Sequence, residues 1–411
     1  MTTGPLDRLE DVLPSDVLEV VHRTTPIPTV AARAAILARS DPGFVRGDIG
    51  QIVGLDPSVE VLYGPPVGIE PLREAVAEFW TRTFHLDDPE RLGHALRAEN
   101  IAVTTGAAEA LTLLFRCFAA GKTVGLPRGY WENYLNGVSL AGGHPVVVDY
   151  FDEQGALDLE GLGRSITALK VSCLVANFPS NPTGAVLGEG EARALAGFLR
   201  DHDLLLIADE VYSRLRFDGA PPVSLLAFAP ERVVTLSSAS KEYLIPGARV
   251  GYVVSDRPAL TDEVLRKLIR ANTASPNVLG QQRVLDLMST DLAALREGRE
   301  PELLGRIRTE LGLRRDALVS VLRKHGFELV GRPGHEPMGT IFLMASLPDW
   351  WKGNDLEFVE AALERSAFSS VPGSAFGLEG SVRFSFGSMS VPAIAELDRR
   401  IEAWRKSVSR K

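Results

Sequence analysis

Apolar residues recur along this chain with two different spacings, and the switches between them mark its elements. Leu72, Ala75, Val76 and Phe79 lie three and four apart, which predicts a helix over 69–80. Residues 101–105 form instead a short run read as a buried strand, followed by a small-residue turn at Gly106-Ala107-Ala108 and a second helix over 109–118. From Leu169 onward, the apolar runs 171–176, 204–208, 233–236 and 252–254 alternate with helical stretches such as 189–202. Runs that are apolar throughout predict strands covered on both faces, and their alternation with helices predicts an α/β fold with a mostly parallel sheet. Residues 257–303 read as charged helix around a polar insert at 271–277, and the remainder alternates helices with short strands at 339–344 and 382–386. The expected organisation is an N-terminal segment, 1–45, with an amphipathic stretch at 30–38, joined to the smaller domain. A large domain over 46–290 and a small α/β domain over 291–411 complete it.

Composition narrows the function. With 411 residues the chain exceeds one typical core, and a net charge of -9 argues against a polyanion-binding surface, so no nucleic acid is expected. Cys117 and Cys173 sit in apolar segments and read as buried thiols, and the seven histidines show no metal-ligand spacing. The acidic N-terminus lacks a long apolar core and no later run approaches a membrane span. A cytoplasmic enzyme without metal or membrane partner is expected.

The chemistry gathers around Lys241, set among Ser237, Ser238 and Ser240 at the mouth of a strand. A lysine kept partly neutral by burial can react with carbonyls, and Arg249, eight residues on, suits a phosphate. Lysine plus phosphate clamp suggests pyridoxal phosphate, although Ser-x-Ser-Lys alone also fits an ordinary loop. Gly106-Ala107-Ala108, between strand and helix, would present free N–H groups to an anion. Asn181 offers a hydrogen bond at a strand's carboxyl end. Asp209 directly ends five apolar residues, where a carboxylate is costly unless paired, and a pyridinium N–H would pair it. In the segment 130–134 a flat side chain could stack on a heteroaromatic ring, or simply pack. Tyr63 on a Gly/Pro loop could reach a phosphate, Gly50 flanks a tight turn open to a small ligand, and Arg383 in an apolar run could grip a carboxylate.

In this order along the chain, the motifs resemble those of the class I/II aminotransferases, pyridoxal-phosphate enzymes of fold type I. The resemblance rests on Tyr63 with Gly68-x-x-x-Leu72-Arg73, Gly106-Ala107-Ala108, Asn181-Pro182-Thr183-Gly184, Asp209-Glu210-Val211-Tyr212, Ser238-x-x-Lys241 with Arg249, and Arg383. It implies a large domain built on a seven-stranded-type sheet and a homodimer with shared active sites, with Tyr63 reaching the partner's cofactor phosphate. It implies that Lys241 forms the Schiff base with the cofactor and shuttles the proton. Asp209 would hold the pyridine nitrogen, and Asn181 and Tyr212 the phenolic oxygen. Gly106, Ala107, Ala108, Ser238, Ser240 and Arg249 would bind the phosphate, and Trp131 would stack on the ring. Arg383, with Asn181 and the backbone of Gly50, would take the α-carboxylate of an amino or keto acid. The expected activity is amino-acid transamination. The alternative is an elimination, replacement, decarboxylative deamination or cyclisation on the same scaffold, because the substrate-loop wording at 48–57 departs from the family's; the spacing at 127–131 departs too, which leaves Tyr130 as the other candidate for the ring.

Overall fold

The computed structural model describes residues 4–22 and 62–408; the amphipathic stretch at 30–38 and Gly50 lie outside them. After α1 (Ser15–His22) the described chain resumes at 62 and enters α2 (Glu70–Phe84). Pro71 near its start costs no hydrogen bond, and Leu72, Val76, Phe79 and Trp80 are buried as the spacing predicts. There follow β1 (Ile101–Thr104), α3 (Ala107–Phe118), β2 (Thr123–Pro127), α4 (Glu132–Leu140), β3 (His144–Val148), α5 (Leu159–Leu169) and β4 (Val171–Asn177). Next come α6 (Glu189–Asp201), β5 (Leu205–Asp209), β6 (Val233–Ser238), the single turn α7 (Ala239–Glu242) and β7 (Gly251–Val254).

These seven strands form one sheet in the order β1-β7-β6-β5-β4-β2-β3. All neighbours are parallel except β7, which runs antiparallel to both β1 and β6. Successive side chains point to opposite faces, so Leu205 and Ile207 enter one core and Leu206 and Ala208 the other. Helices α2, α5, α6 and α9 (Val278–Arg296) cover the second face, while α3, α4 and α8 (Leu265–Thr273) cover the first. The charged stretch 257–303 resolves chiefly into α8 and α9, broken within the polar insert, and α10 (Glu302–Lys324) follows.

The rest builds β8 (Leu329–Val330), β9 (Phe342–Ser346), α11 (Asp355–Ser366), β10 (Val371–Pro372), β11 (Ser381–Ser385) and α12 (Val391–Val408). The four strands pair antiparallel in the order β10-β11-β9-β8. Most boundaries shift by a residue or two, and three shift further or change a role: α2, expected over 69–80, runs on to Phe84. The strand placed at 339–344 begins only at Phe342, and α3 starts at Ala107, not at Glu109. Gly106, at φ 81°, turns the chain straight from β1 into the helix, so no intervening turn is needed.

Candidate active site

Asn177, Asp209 and Ser238 each end a strand, and Asn177 faces Asp209 across the β4–β5 pairing. The site lies at the carboxyl ends of parallel strands, where α/β sheets place ligands. Asp209 is 2 % exposed. Burial pushes its carboxyl up to about 6, against the opposing pull of a hydrogen bond from Tyr134. That phenol donates to Asp209 Oδ2 at 2.6 Å, while Asp209 Oδ1 accepts from Val211 N at 3.3 Å. Burial drives the Tyr134 hydroxyl well above its ordinary range, so it is a permanent donor.

From Asp209 a chain of polar contacts crosses to the second sheet. Asn177 Nδ2 donates to the Asp209 carbonyl at 2.8 Å, and Asn177 Oδ1 accepts from Asn181 N at 2.7 Å. Asn181 Oδ1 in turn accepts from Arg383 Nη1 on β11 at 3.0 Å. The Arg383 guanidinium is sandwiched between the rings of Phe342, 4.1 Å away, and Phe376, 4.6 Å away. Phe342 also lies 6.0 Å from Lys241 Nζ and edge-on to Tyr212 at 6.2 Å between centroids. One phenylalanine from β9 thus lies beside the lysine, the tyrosine and the arginine. Lys241 is half-buried, and its amine is lowered by burial first and by the Arg383 charge second, with Asp209 pulling the other way.

Opposite these groups stands an anion cradle. The N-terminus of α3 opens at Gly106, and a Cβ there would lie 2.6 Å from Arg249 Nη2, so the glycine admits the guanidinium. Gly251 is equally close on the other side, since its Cβ would fall 2.6 Å from Ala107 N. Glu109 braces the turn by accepting from Thr105 N at 2.6 Å. Ser238 accepts from Ser240 N at 3.2 Å and lies 2.9 Å from the Val250 carbonyl, so its hydroxyl serves first as the cap of α7; the Ser240 hydroxyl lies 3.0 Å from it. Trp131, half-buried, packs edge-on against Tyr134 at 5.8 Å. Tyr130 turns away toward Gly377, where a Cβ would meet its ring at 3.3 Å. Tyr63 is 68 % exposed.

A model of the family "aminotransferase class I and II" matches residues 55–401. The chain belongs to that family. It is an enzyme that transfers amino groups between amino acids and keto acids, and the elimination and cyclisation readings are not favoured. It is 30 % identical over 390 residues to a probable aspartate/prephenate aminotransferase of Thermus aquaticus, covering 94 % of this chain and 95 % of that one. It is also 30 % identical over 351 residues to an aspartate aminotransferase of Pyrococcus abyssi, covering 84 % of each. Aspartate aminotransferase from Thermus thermophilus with maleate superposes with a TM-score of 0.72 at 27 % identity, covering 96 % of this chain and 99 % of that one.

Four participants escaped the sequence reading: Asn177, Phe342, Phe376 and the bond from Tyr134 to Asp209. Tyr134 had a signal, since it closes the aromatic segment 130–134 singled out for the ring. Asn177 had one in its strand-end position, but the two phenylalanines look like any core residues in sequence.

Proposed function

We propose that this aminotransferase works with pyridoxal 5′-phosphate held between the anion cradle and Asp209. The donor set fits that group: a buried carboxylate that ionises at neutral pH more readily when a cation meets it, a half-buried amine with lowered affinity for protons, and a helix N-terminus joined by an arginine. Lys241 would hold the cofactor aldehyde and Asp209 the ring nitrogen, with Asn181 and Tyr212 at the phenolic oxygen. The phosphate would rest on Gly106, Ala107, Ala108, Ser238, Ser240 and Arg249, and Trp131 would lie on the ring. Bound pyridoxal phosphate supplies an aldehyde for the incoming amine and a ring that draws electrons from the substrate's Cα.

The protein's own residues do the rest. Lys241 Nζ, once free, takes the proton from Cα and returns it on the other side of the exchange, which needs an amine whose proton affinity lies closer to neutrality than that of a solvated lysine. Arg383 receives the α-carboxylate in bidentate fashion, with Asn181 fixing the guanidinium and the two rings shielding it from water. The convergence of Lys241, Tyr212 and Arg383 on Phe342 is the observation that carries this reading. The acidic and aromatic substrates named for relatives all carry the α-carboxylate that Arg383 would take.

In this reading residues 46–290 form the cofactor-holding body and 291–411 the smaller one, to which all four strands of the second sheet belong. The N-terminal segment 1–45 is expected from sequence to join the smaller body, but its described part lies on the larger one, where Lys122 Nζ donates to the Val12 carbonyl at 3.1 Å and Arg257 pairs with Asp7. The enzyme acts as a homodimer in which Tyr63 serves the partner's phosphate site. Exposed Leu62 and Leu279 flank that region, where Gly64 lies against Val278.

The deciding experiment is the visible spectrum of the purified holoenzyme with a panel of single amino acids and no acceptor. Conversion of the cofactor to its amine form with release of the matching keto acid is expected. A spectrum that does not change with any amino acid while product accumulates would overturn the proposal.

A further inference from the structure

The helical turn α7 that carries Lys241 has four residues, Ala239–Glu242, too few to hold itself. Glu242, the residue after the lysine, anchors it from below. Its side chain is 1 % exposed, and one oxygen, Oε1, accepts from three separate elements: Ser237 Oγ of β6 at 2.7 Å, Tyr252 Oη of β7 at 2.5 Å, and Arg214 Nη1. Arg214 stands two residues beyond Tyr212 on the turn that leaves β5, with a side chain 4 % exposed. Its guanidinium carbon lies 4.5, 5.3 and 5.2 Å from the rings of Phe79, Trp80 and Phe84 on α2.

This pair is poorly arranged for stability alone. Arg214 Nε and Nη2 and Glu242 Oε2 are buried without a hydrogen-bond partner. A buried ion pair with such gaps stabilises no better than apolar residues of the same volume. What it does supply is a directional link between two turns, one bearing the lysine and the other the carboxylate and phenol. We propose that Arg214 and Glu242 are positioning residues that lock the Lys241 turn to the Asp209–Tyr212 turn.

The proposal rests on the roles given above to Lys241, Asp209 and Tyr212. A displacement of about 1 Å between reacting groups costs on the order of 100-fold in rate, so even a partial slip of α7 is measurable. Arg383 stands apart from the pair, so substrate affinity is spared.

The test is the double variant Arg214→Met, Glu242→Gln, in the full-length holoenzyme. It leaves no buried charge, and the amide introduced at position 242 keeps an oxygen for Ser237 and Tyr252. Expected are a melting temperature close to that of the parent, kcat lowered about tenfold or more with KM nearly unchanged, and a shifted midpoint in the pH titration of the cofactor's visible absorbance. A folded double variant with parental kcat and an unmoved midpoint would overturn the proposal. Should that variant not fold, Arg214→Lys decides: it keeps the charge but loses the planar fork, so parental kcat and midpoint overturn the proposal and a drop in kcat supports it. Lys241→Ala runs in parallel. Parental turnover there would sink the reading of the site itself, whereas a dead Lys241→Ala beside a parental double variant would remove only the brace.

Discussion

Arg383 shows how much one side chain can depend on its neighbours. Held by Asn181 and clasped by Phe342 and Phe376, it is largely withdrawn from water, and burial lowers its own proton affinity. A carboxylate arriving there meets a preformed, weakly hydrated guanidinium. Arg383→Ala is therefore expected to raise KM for every α-carboxylate substrate, a loss of about 2 to 5 kcal/mol in binding, and Arg383→Lys to recover little, because an ammonium cannot reproduce the fork. Steady-state kinetics on two chemically different amino acids check this, and an effect confined to one would mean that the carboxylate binds elsewhere. Tyr134 acts at the same scale. Removing its hydroxyl in Tyr134→Phe leaves Asp209 with only the long bond from Val211, so the carboxyl holds its proton to higher pH. The midpoint of cofactor binding against pH should move up by about one unit or more, as read by equilibrium titration of the apoenzyme. Asp209 was legible in the sequence because an acid closing an apolar strand calls for a partner. Its donor was not, because a tyrosine on an amphipathic helix looks the same whether its hydroxyl meets water or a carboxylate.

At the scale of elements, periodicity carried most of the fold. The spacing of Leu72, Ala75, Val76 and Phe79 located α2, though not its last turn to Phe84, and the apolar runs 171–176, 204–208 and 233–236 located the central strands to within two residues, because burial on both faces leaves a strand few polar positions. The two-residue strands β8 and β10 left no such trace, since so short a segment has no period. Gly106 reads in sequence as a turn, and only the structure gives it a second task. Gly106→Ala would force a side chain into a conformation at φ 81° and push Arg249 out of the cradle. Gly251→Ala would meet the backbone of Gly106 and Ala107. Both should weaken cofactor binding about 10- to 100-fold, roughly one charge-assisted hydrogen bond to phosphate, with Gly251→Ala also lowering the melting temperature. Equal affinity for the parent and Gly106→Ala would place the phosphate elsewhere.

Over the whole molecule, the buried acids set an unusual dependence of stability on pH. Burial raises Asp209 from 3.8 to about 6 and the adjoining Glu210 from 4.5 to about 8. In both cases the folded chain holds the proton more tightly than the unfolded one, so stability is lost as pH climbs through these intervals. Glu78 behaves in the opposite sense: its bonds to Arg296 and Arg82 bring it down to about 2, and its contribution disappears as pH falls below 4.5. The apoprotein should therefore be most stable in mild acid and weaken toward pH 8, Asp209 alone accounting for about 3 kcal/mol between its two values. Asp209→Asn removes the part of the slope between 3.8 and about 6, and Glu210→Gln the overlapping part between 4.5 and about 8. Pyridoxal phosphate should flatten the lower part in the parent but not in Asp209→Asn, because a ring N–H gives the ionised carboxylate its partner. Urea unfolding at pH 5 and pH 7.5, with and without cofactor, reads all of this. A parent apoprotein more stable at the higher pH would mean that Asp209 and Glu210 are already ionised and paired without a ligand, and the argument for a site waiting on a cation would fail with it.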